Sequence, residues 1–142
     1  MEYVVNEVMV KHVITCTAET TLQDAAKLMK KNNLSCLIVV KDKIPTGIVT
    51  ERDIMFKAVA NNLESSKVLI KDIMTSPIKT IGPEDKIYYA SSILLKEGIK
   101  RLPVVKDQKL IGILTQKDLL KYFTELKKTL ALDKFGKSIQ SA

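Results

Sequence analysis

The chain has 142 residues, enough for one compact domain or two very small ones, and 46% of them are hydrophobic, enough for a real core. No apolar run approaches the ~20 residues that span a bilayer, and the first residues lack the basic start, apolar stretch and cleavage site of a secretory signal, so a cytoplasmic chain with no membrane segment is expected. The formal charge is +7, with only two arginines, Arg52 and Arg101, among 23 basic residues; with lysines spread along the chain and aromatics at 5%, this reads as a solvated surface before a nucleic-acid face.

In chain order, YVVNEVM (3–9) leads into a short strand at 13–16 and a polar turn, TAETT (17–21). Leu22, Ala25, Ala26 and Met29 then recur at helical spacing and predict an amphipathic helix. The continuous apolar run CLIVV (36–40) suits a buried strand. KDKIP (41–45) turns the chain, GIVT (47–50) forms another strand, and a second helix begins at Glu51. The polar stretch NNLESSK (61–67) opens a link, and VLIKDIM (68–74) leads onward. The same elements follow again: a strand at 78–81, the turn GPEDK (82–86) and a helix carrying Ile87, Ala90, Ile93 and Leu94. LPVV (102–105), KDQKL (106–110), GILT (112–115) and a helix from Gln116 complete the series. Leu119, Tyr122, Phe123, Leu126 and Leu130 keep helical spacing, so this last helix is extended, with a frayed end expected beyond Phe135.

The series is a duplication. TGIVTERDIM (46–55) matches IGILTQKDLL (111–120) at an offset of 65, and the same offset runs back without a gap through VVKD (39–42 and 104–107) to Met9 and Met74. Residues 1–62 form the first unit, with its core at 8–58, residues 63–71 the link, 72–125 the second unit, and 126–142 the extension. About 50 residues bury too little surface to stand alone. Two βαββα repeats sharing one core, an α/β (α+β) fold, are therefore expected.

Each repeat carries Thr-x-x-Asp where a strand meets a helix: Thr50 with Asp53, and Thr115 with Asp118. In one reading this is a helix cap, the hydroxyl accepting from a free backbone N–H and the acid favouring the positive helix end. In another, the helix end and hydroxyl receive a phosphate, and the carboxylate accepts from two neighbouring ribose hydroxyls. The residues alone leave both readings open.

The order of elements, the G-h-h-T-x-x-D ending, the lead-in DIMTSPIKTI (72–81) and the strand GIKRLPVV (98–105) resemble the CBS domain, here as a tandem pair. The second repeat matches more fully than the first, where KHVITC (11–16) replaces the Ser-Pro lead-in and NLSCLIVV (33–40) lacks the basic residue and the proline. The resemblance implies two repeats packed as a pseudo-twofold pair, binding AMP, ADP or ATP, or S-adenosylmethionine, in two clefts between them, with no other cofactor. It assigns phosphate and ribose contacts to Thr50 with Asp53 and to Thr115 with Asp118. It adds contacts from the opposite repeat's first segment: Ile78, Thr80 and Pro83 for the Asp53 cleft, and Thr15, Thr17 and Ala18 for the Asp118 cleft. Lys100 and Arg101, beside Pro103, are expected to face the Asp53 cleft and make it the better phosphate site, because Ser35 and Cys36 replace them in the first repeat. Arg52 and Lys117 sit inside the two motifs as further cations. The resemblance also implies a disc-like homodimer of two pairs that acts on an effector protein.

Nothing in the sequence assembles an active site. The one histidine, His12, has no nucleophile or acid pattern around it, and no metal-ligand spacing appears. Cys16 and Cys36 read as buried reduced thiols, although spacing alone does not decide whether they are linked. The competing functions are a nucleic-acid-binding module built on the lysines and a purely structural module in which both Thr-x-x-Asp pairs only cap helices.

Overall fold

A computed structural model describes the backbone of residues 3–141 and the side chains of residues 3–131. In the first repeat, β1 (Thr15–Cys16) lies parallel to β2 (Cys36–Lys41), which pairs antiparallel with β3 (Ile44–Thr50). Between β1 and β2 runs α1 (Leu22–Asn32), capped by the Thr21 hydroxyl accepting from the Asp24 amide at 3.1 Å. It ends on Asn33 at φ 53°, the left-handed position that closes a helix. After β3 comes α2 (Glu51–Asp53), which widens into a π-helical turn over Ile54–Val59.

The second repeat follows the same plan. A single helical turn, α3 (Ile70–Ile73), precedes α4 (Ile87–Glu97), which closes on Gly98 at φ 64°, the place of Asn33. The hairpin β4 (Arg101–Lys106) and β5 (Lys109–Thr115) leads directly into α5 (Gln116–Ser141). Both hairpins turn on two residues with positive φ, Asp42 with Lys43 and Asp107 with Gln108, the geometry that matches strand twist. Both carry an irregularity in register at the same point, Val39/Val40 and Val104/Val105.

Four expectations are corrected. The repeats do not share one core: the buried residues form two clusters, one around Leu37, Val39 and Val49 and one around Ile87, Leu102 and Leu114, because each repeat's sheet is covered by its own helix and by an arm from the other. The strand expected at 78–81 reduces to one parallel bridge, Ile81 to Val104, because the chain turns directly after it, the Asp85 amide donating to the Gly82 carbonyl at 3.2 Å. Ala26 is exposed; the buried stripe of α1 is Leu22, Ala25 and Met29. The lead-in segments do not serve the repeats they precede. Val5, with Val8 and Met9 against it, belongs to the core of the second repeat, beside Ile87, Leu102 and Leu114. Ile70 and Ile73, with Met74, belong to the core of the first, beside Leu37, Val39 and Val49. The frayed end expected beyond Phe135 falls on residues whose side chains lie outside the described ones.

This exchange is built into the backbone. Val10 trades two hydrogen bonds with Ile113 at 2.9 and 3.0 Å, and Thr75 trades two with Ile48 at 2.8 and 3.0 Å. The amides that start α1 and α4 donate to Val68 at 2.8 Å and Tyr3 at 3.2 Å, so each arm also satisfies an unpaired helix end. Gly47 and Gly112, the first residues of the two motifs, lie under these arms. A Cβ on Gly47 would stand 2.8 Å from Met74 Sδ and 3.0 Å from the Thr75 carbonyl oxygen; on Gly112 it would stand 2.5 Å from Met9 Sδ. Gly47→Ala is therefore expected to cost about 1–3 kcal/mol by overpacking, read as a lower urea midpoint at unchanged slope.

Candidate functional site

The junction of the two repeats holds two clefts. One, of about 380 Å³, lies over Thr50, Glu51 and Arg52 and is closed by Pro77, Ile78, Lys79, Lys100, Arg101 and Pro103 of the second repeat. The other, of about 400 Å³, lies over Thr115, Gln116 and Lys117 and is closed by His12, Val13, Ile14, Leu34, Ser35 and Cys36 of the first. Both volumes fall in the range of roughly 300–1,000 Å³ typical of small-molecule clefts. Each motif therefore faces the opposite repeat.

Thr50 and Asp53 form a reciprocal cap. The Thr50 hydroxyl accepts from the Asp53 amide at 3.2 Å, and Asp53 Oδ2 accepts from the Thr50 amide at 2.9 Å. Thr115 and Asp118 repeat this at 3.1 and 2.9 Å. In both, the first helical amide is also taken: Glu51 donates to the Ser35 carbonyl at 3.0 Å and Gln116 to the Lys100 carbonyl at 2.8 Å. The hydroxyls of Thr50 and Thr115 donate onward to Oδ2 of the same aspartates at 3.1 and 2.8 Å. Both carboxylates thus stand one hydrogen bond behind a threonine on a cleft wall.

The two carboxylates differ in what else holds them. Asp53 is 6% exposed, and its Oδ1 accepts from the Thr75 hydroxyl at 3.0 Å and pairs with Lys57 Nζ at 2.9 Å. Lys57 also donates to the Ile73 carbonyl at 3.1 Å, so the cluster fastens the exchanged arm to the first repeat. Burial raises the Asp53 pKa, but the hydrogen bonds from Lys57, the Thr50 amide and Thr75, with the Lys57 charge, outweigh it and hold the carboxyl below its ordinary 3.8. The stability this contributes is complete above the unfolded value and is lost as pH falls through the folded one. In Asp53→Asn, the drop in melting temperature below about pH 4 is expected to be shallower than in the wild type.

At the positions matching Lys57 and Thr75, the second repeat has Tyr122 and Val10. There the arm is held by an edge-to-face contact of Tyr3 and Tyr122, with ring centroids 5.5 Å apart. Asp118 is half-buried, and no hydrogen bond reaches its Oδ1 among the described residues.

Lys100 and Arg101 do not face the Asp53 cleft alone, as the sequence suggested; both line both clefts. The reason is position: β4 begins at the junction, and the Arg101 guanidinium donates to the Ser35 hydroxyl of the first repeat at 2.5 Å. Arg52 lines the Thr50 cleft and stacks on Phe56, 4.3 Å from the ring centroid. Lys117 lines the other. Of the residues expected from the first segments, Ile78 lies in its cleft, with Pro103 beside it. Thr80, Pro83, Thr15, Thr17 and Ala18 stand outside both clefts, and Asp53 and Asp118 line neither, each standing behind its threonine. Thr80 is exposed, the Pro83 carbonyl accepts from Asn6, Thr15 lines a smaller cavity beside Lys11, Thr17 bonds Thr20, and Ala18 packs on the first core. The residues that sequence reasoning missed include Lys79, inside the 78–83 segment it named, and Pro77, Val13 and Val10, just ahead of the two segments. The arm exchange, which brings 10–14 and 75–79 alongside the opposite β-strand, was the signal needed to find them.

Cys16 and Cys36 are both free. Burial pushes Cys16 to about 11; for Cys36 burial likewise raises the value, with Arg101 opposing and Glu51 adding. The shifts favour the protonated thiol in both. Among the described residues, no group of three His, Cys, Asp or Glu is placed to hold a metal, and no helix is long and apolar enough to cross a membrane.

The CBS domain family model matches residues 5–59 and 70–125. The chain is 36% identical over 118 residues to an uncharacterized protein of Methanopyrus kandleri, covering 82% of this chain and 60% of that one. It is 34% identical over 111 residues to a mitochondrial CBS domain-containing protein of Arabidopsis thaliana, covering 75% and 54%. The chain therefore spans little more than half the length of these two relatives. Among solved structures it is similar to a CBS domain pair in complex with 5′-methylthioadenosine and S-adenosyl-L-methionine, at 29% identity and a TM-score of 0.80, covering 88% of this chain and 98% of that one.

Proposed function

The chain belongs to the CBS domain family, as a tandem pair, and from that membership we propose that it is a regulatory module that binds an adenosine nucleotide, AMP, ADP or ATP, between its repeats. Pairs of this kind are generally regulatory ligand-binding units. The observation that carries the reading is the pair of clefts of about 380 and 400 Å³, each with a capped helix start on one wall and Lys100 and Arg101 on the other. The planar guanidinium and the Lys100 ammonium suit phosphate. The solved pair that holds two adenosine compounds supports the same ligand class. The module acts without chemistry of its own: ligand binding favours one packing of the repeats over another, and a partner protein reads the change.

Two modules are proposed to join through helices. Tyr88, Tyr89 and Leu95 on α4 are 58%, 55% and 84% exposed, where the matching positions of α1 are Gln23, Asp24 and Lys30. Phe56 and Val59 extend the apolar helical surface of the first repeat.

Calorimetry with AMP, ADP, ATP, S-adenosylmethionine and a short RNA tests the reading. An adenosine ligand at 100 times its dissociation constant should add about 2.7 kcal/mol to stability. Salt-sensitive binding of RNA with no response to any adenosine compound would transfer the function to the basic surface.

A further inference from the structure

Resting on the adenosine-nucleotide reading above, we infer that the two clefts compete for one pair of cations, so that a phosphate bound in one weakens phosphate binding in the other, while an uncharged nucleoside meets two uncoupled clefts.

The competition comes from a break in the internal symmetry. In a symmetric pair, each repeat would bring its own cations to the junction. Here only the second does: Lys100 and Arg101 line both clefts, and the matching positions of the first repeat hold Ser35 and Cys36. Local structure fixes the pair between the clefts. Arg101 opens β4 opposite Thr115, and the Lys100 carbonyl accepts from the Gln116 amide at 2.8 Å. Both residues are thereby held at the wall of the Thr115 cleft, and both also border the Thr50 cleft.

What each cleft keeps for itself is weak in positive charge. Apart from the shared pair, the Thr50 cleft sets Arg52 and Lys79 against Glu51 and Glu97, which cancel, with Lys79 Nζ 3.9 Å from Glu97. The Thr115 cleft keeps Lys117 and His12. A phosphate in either cleft therefore depends on Lys100 and Arg101. A guanidinium presents its planar fork to one phosphate at a time. Two phosphates drawn to the same side chains also repel each other.

The resting position of Arg101 gives the competition a structural outcome. Its guanidinium donates to the Ser35 hydroxyl at 2.5 Å, and Ser35 lines the Thr115 cleft and not the Thr50 cleft. A phosphate in the Thr115 cleft finds the fork already on its side. A phosphate in the Thr50 cleft draws the fork from Ser35 and undoes a tie between the repeats. Which cleft is filled thus sets whether that tie is kept, and this is the difference a partner protein reads.

Calorimetric titration of the full chain with ATP and with adenosine tests this. The ratio of the second to the first dissociation constant is expected to be larger for ATP by about tenfold or more, the size of an ordinary coupling between sites. One measurable ATP site beside two adenosine sites is the strong limit of the same result. Lys100→Ala/Arg101→Ala should weaken ATP binding and shrink its ratio toward the adenosine value. If the double variant melts below the titration temperature, the wild-type comparison decides; if adenosine binds too weakly to count, the double variant decides. Equal ratios or a single site for ATP and adenosine alike, or an ATP ratio unchanged in the double variant, would overturn the competition and leave the nucleotide reading in place. Absence of binding by AMP, ADP, ATP and S-adenosylmethionine would overturn both.

Discussion

Ile70→Ala is expected to lower the stability of the fold by about 3 kcal/mol, within the range for truncating a fully buried aliphatic side chain. Ile70 is 0% exposed and packs in the first-repeat core with Leu37, Val39 and Val49, although it lies in the stretch that the sequence marks as a link. Its amide also donates to the Thr20 carbonyl at 2.8 Å, so the side chain is held over the site it fills. Ser66→Ala, four residues earlier on an exposed turn, is expected to change stability by less than about 0.5 kcal/mol. Equal melting temperatures for the two variants would mean that the arm does not hold the first repeat together. A drop of roughly 10 °C confined to Ile70→Ala would show that it does.

Arg101→Ala is expected to weaken ATP binding by about tenfold to a hundredfold, the value of one or two charge-assisted hydrogen bonds. The effect is large because Arg101 lines both clefts. It also loses the bond to Ser35 that ties the second repeat's strand to the first repeat. Titration at two salt concentrations separates the two roles. Loss of phosphate contact lowers affinity and flattens its salt dependence, whereas loss of the tie alone lowers the melting temperature and leaves ATP affinity intact.

Much of this was legible because it is local. The two Thr-x-x-Asp caps and the turns at 41–45 and 106–110 depend on a few neighbouring residues, and the 65-residue offset displays each of them twice. The apolar periods of α1 and α4 gave the core faces, with Ala26 the exception because a small residue at the edge of the stripe carries no directional signal. What the sequence hid was non-local. Nothing in YVVNEVM or VLIKDIM says which core receives it, since both repeats offer nearly the same surface. The same blindness put Thr15, Thr17, Ala18, Thr80 and Pro83 at the candidate site in place of the residues a few positions earlier. The Lys57–Asp53–Thr75 cluster joins residues from a helix and an exchanged arm, so spacing could not reveal it.

The crossing of the arms has a consequence for how the protein is made. Val5 leaves the ribosome about a hundred residues ahead of its core neighbours Leu102 and Leu114. During that interval the nascent first repeat closes on its own hydrophobic centre only once Ile70 and Ile73 emerge, while the N-terminal arm waits with its apolar residues in water. Synthesis therefore imposes a fixed sequence of closure, with the N-terminal arm docking last. A chain truncated just before residue 102 would carry a complete first repeat and an arm at Val5 with no second core to receive it.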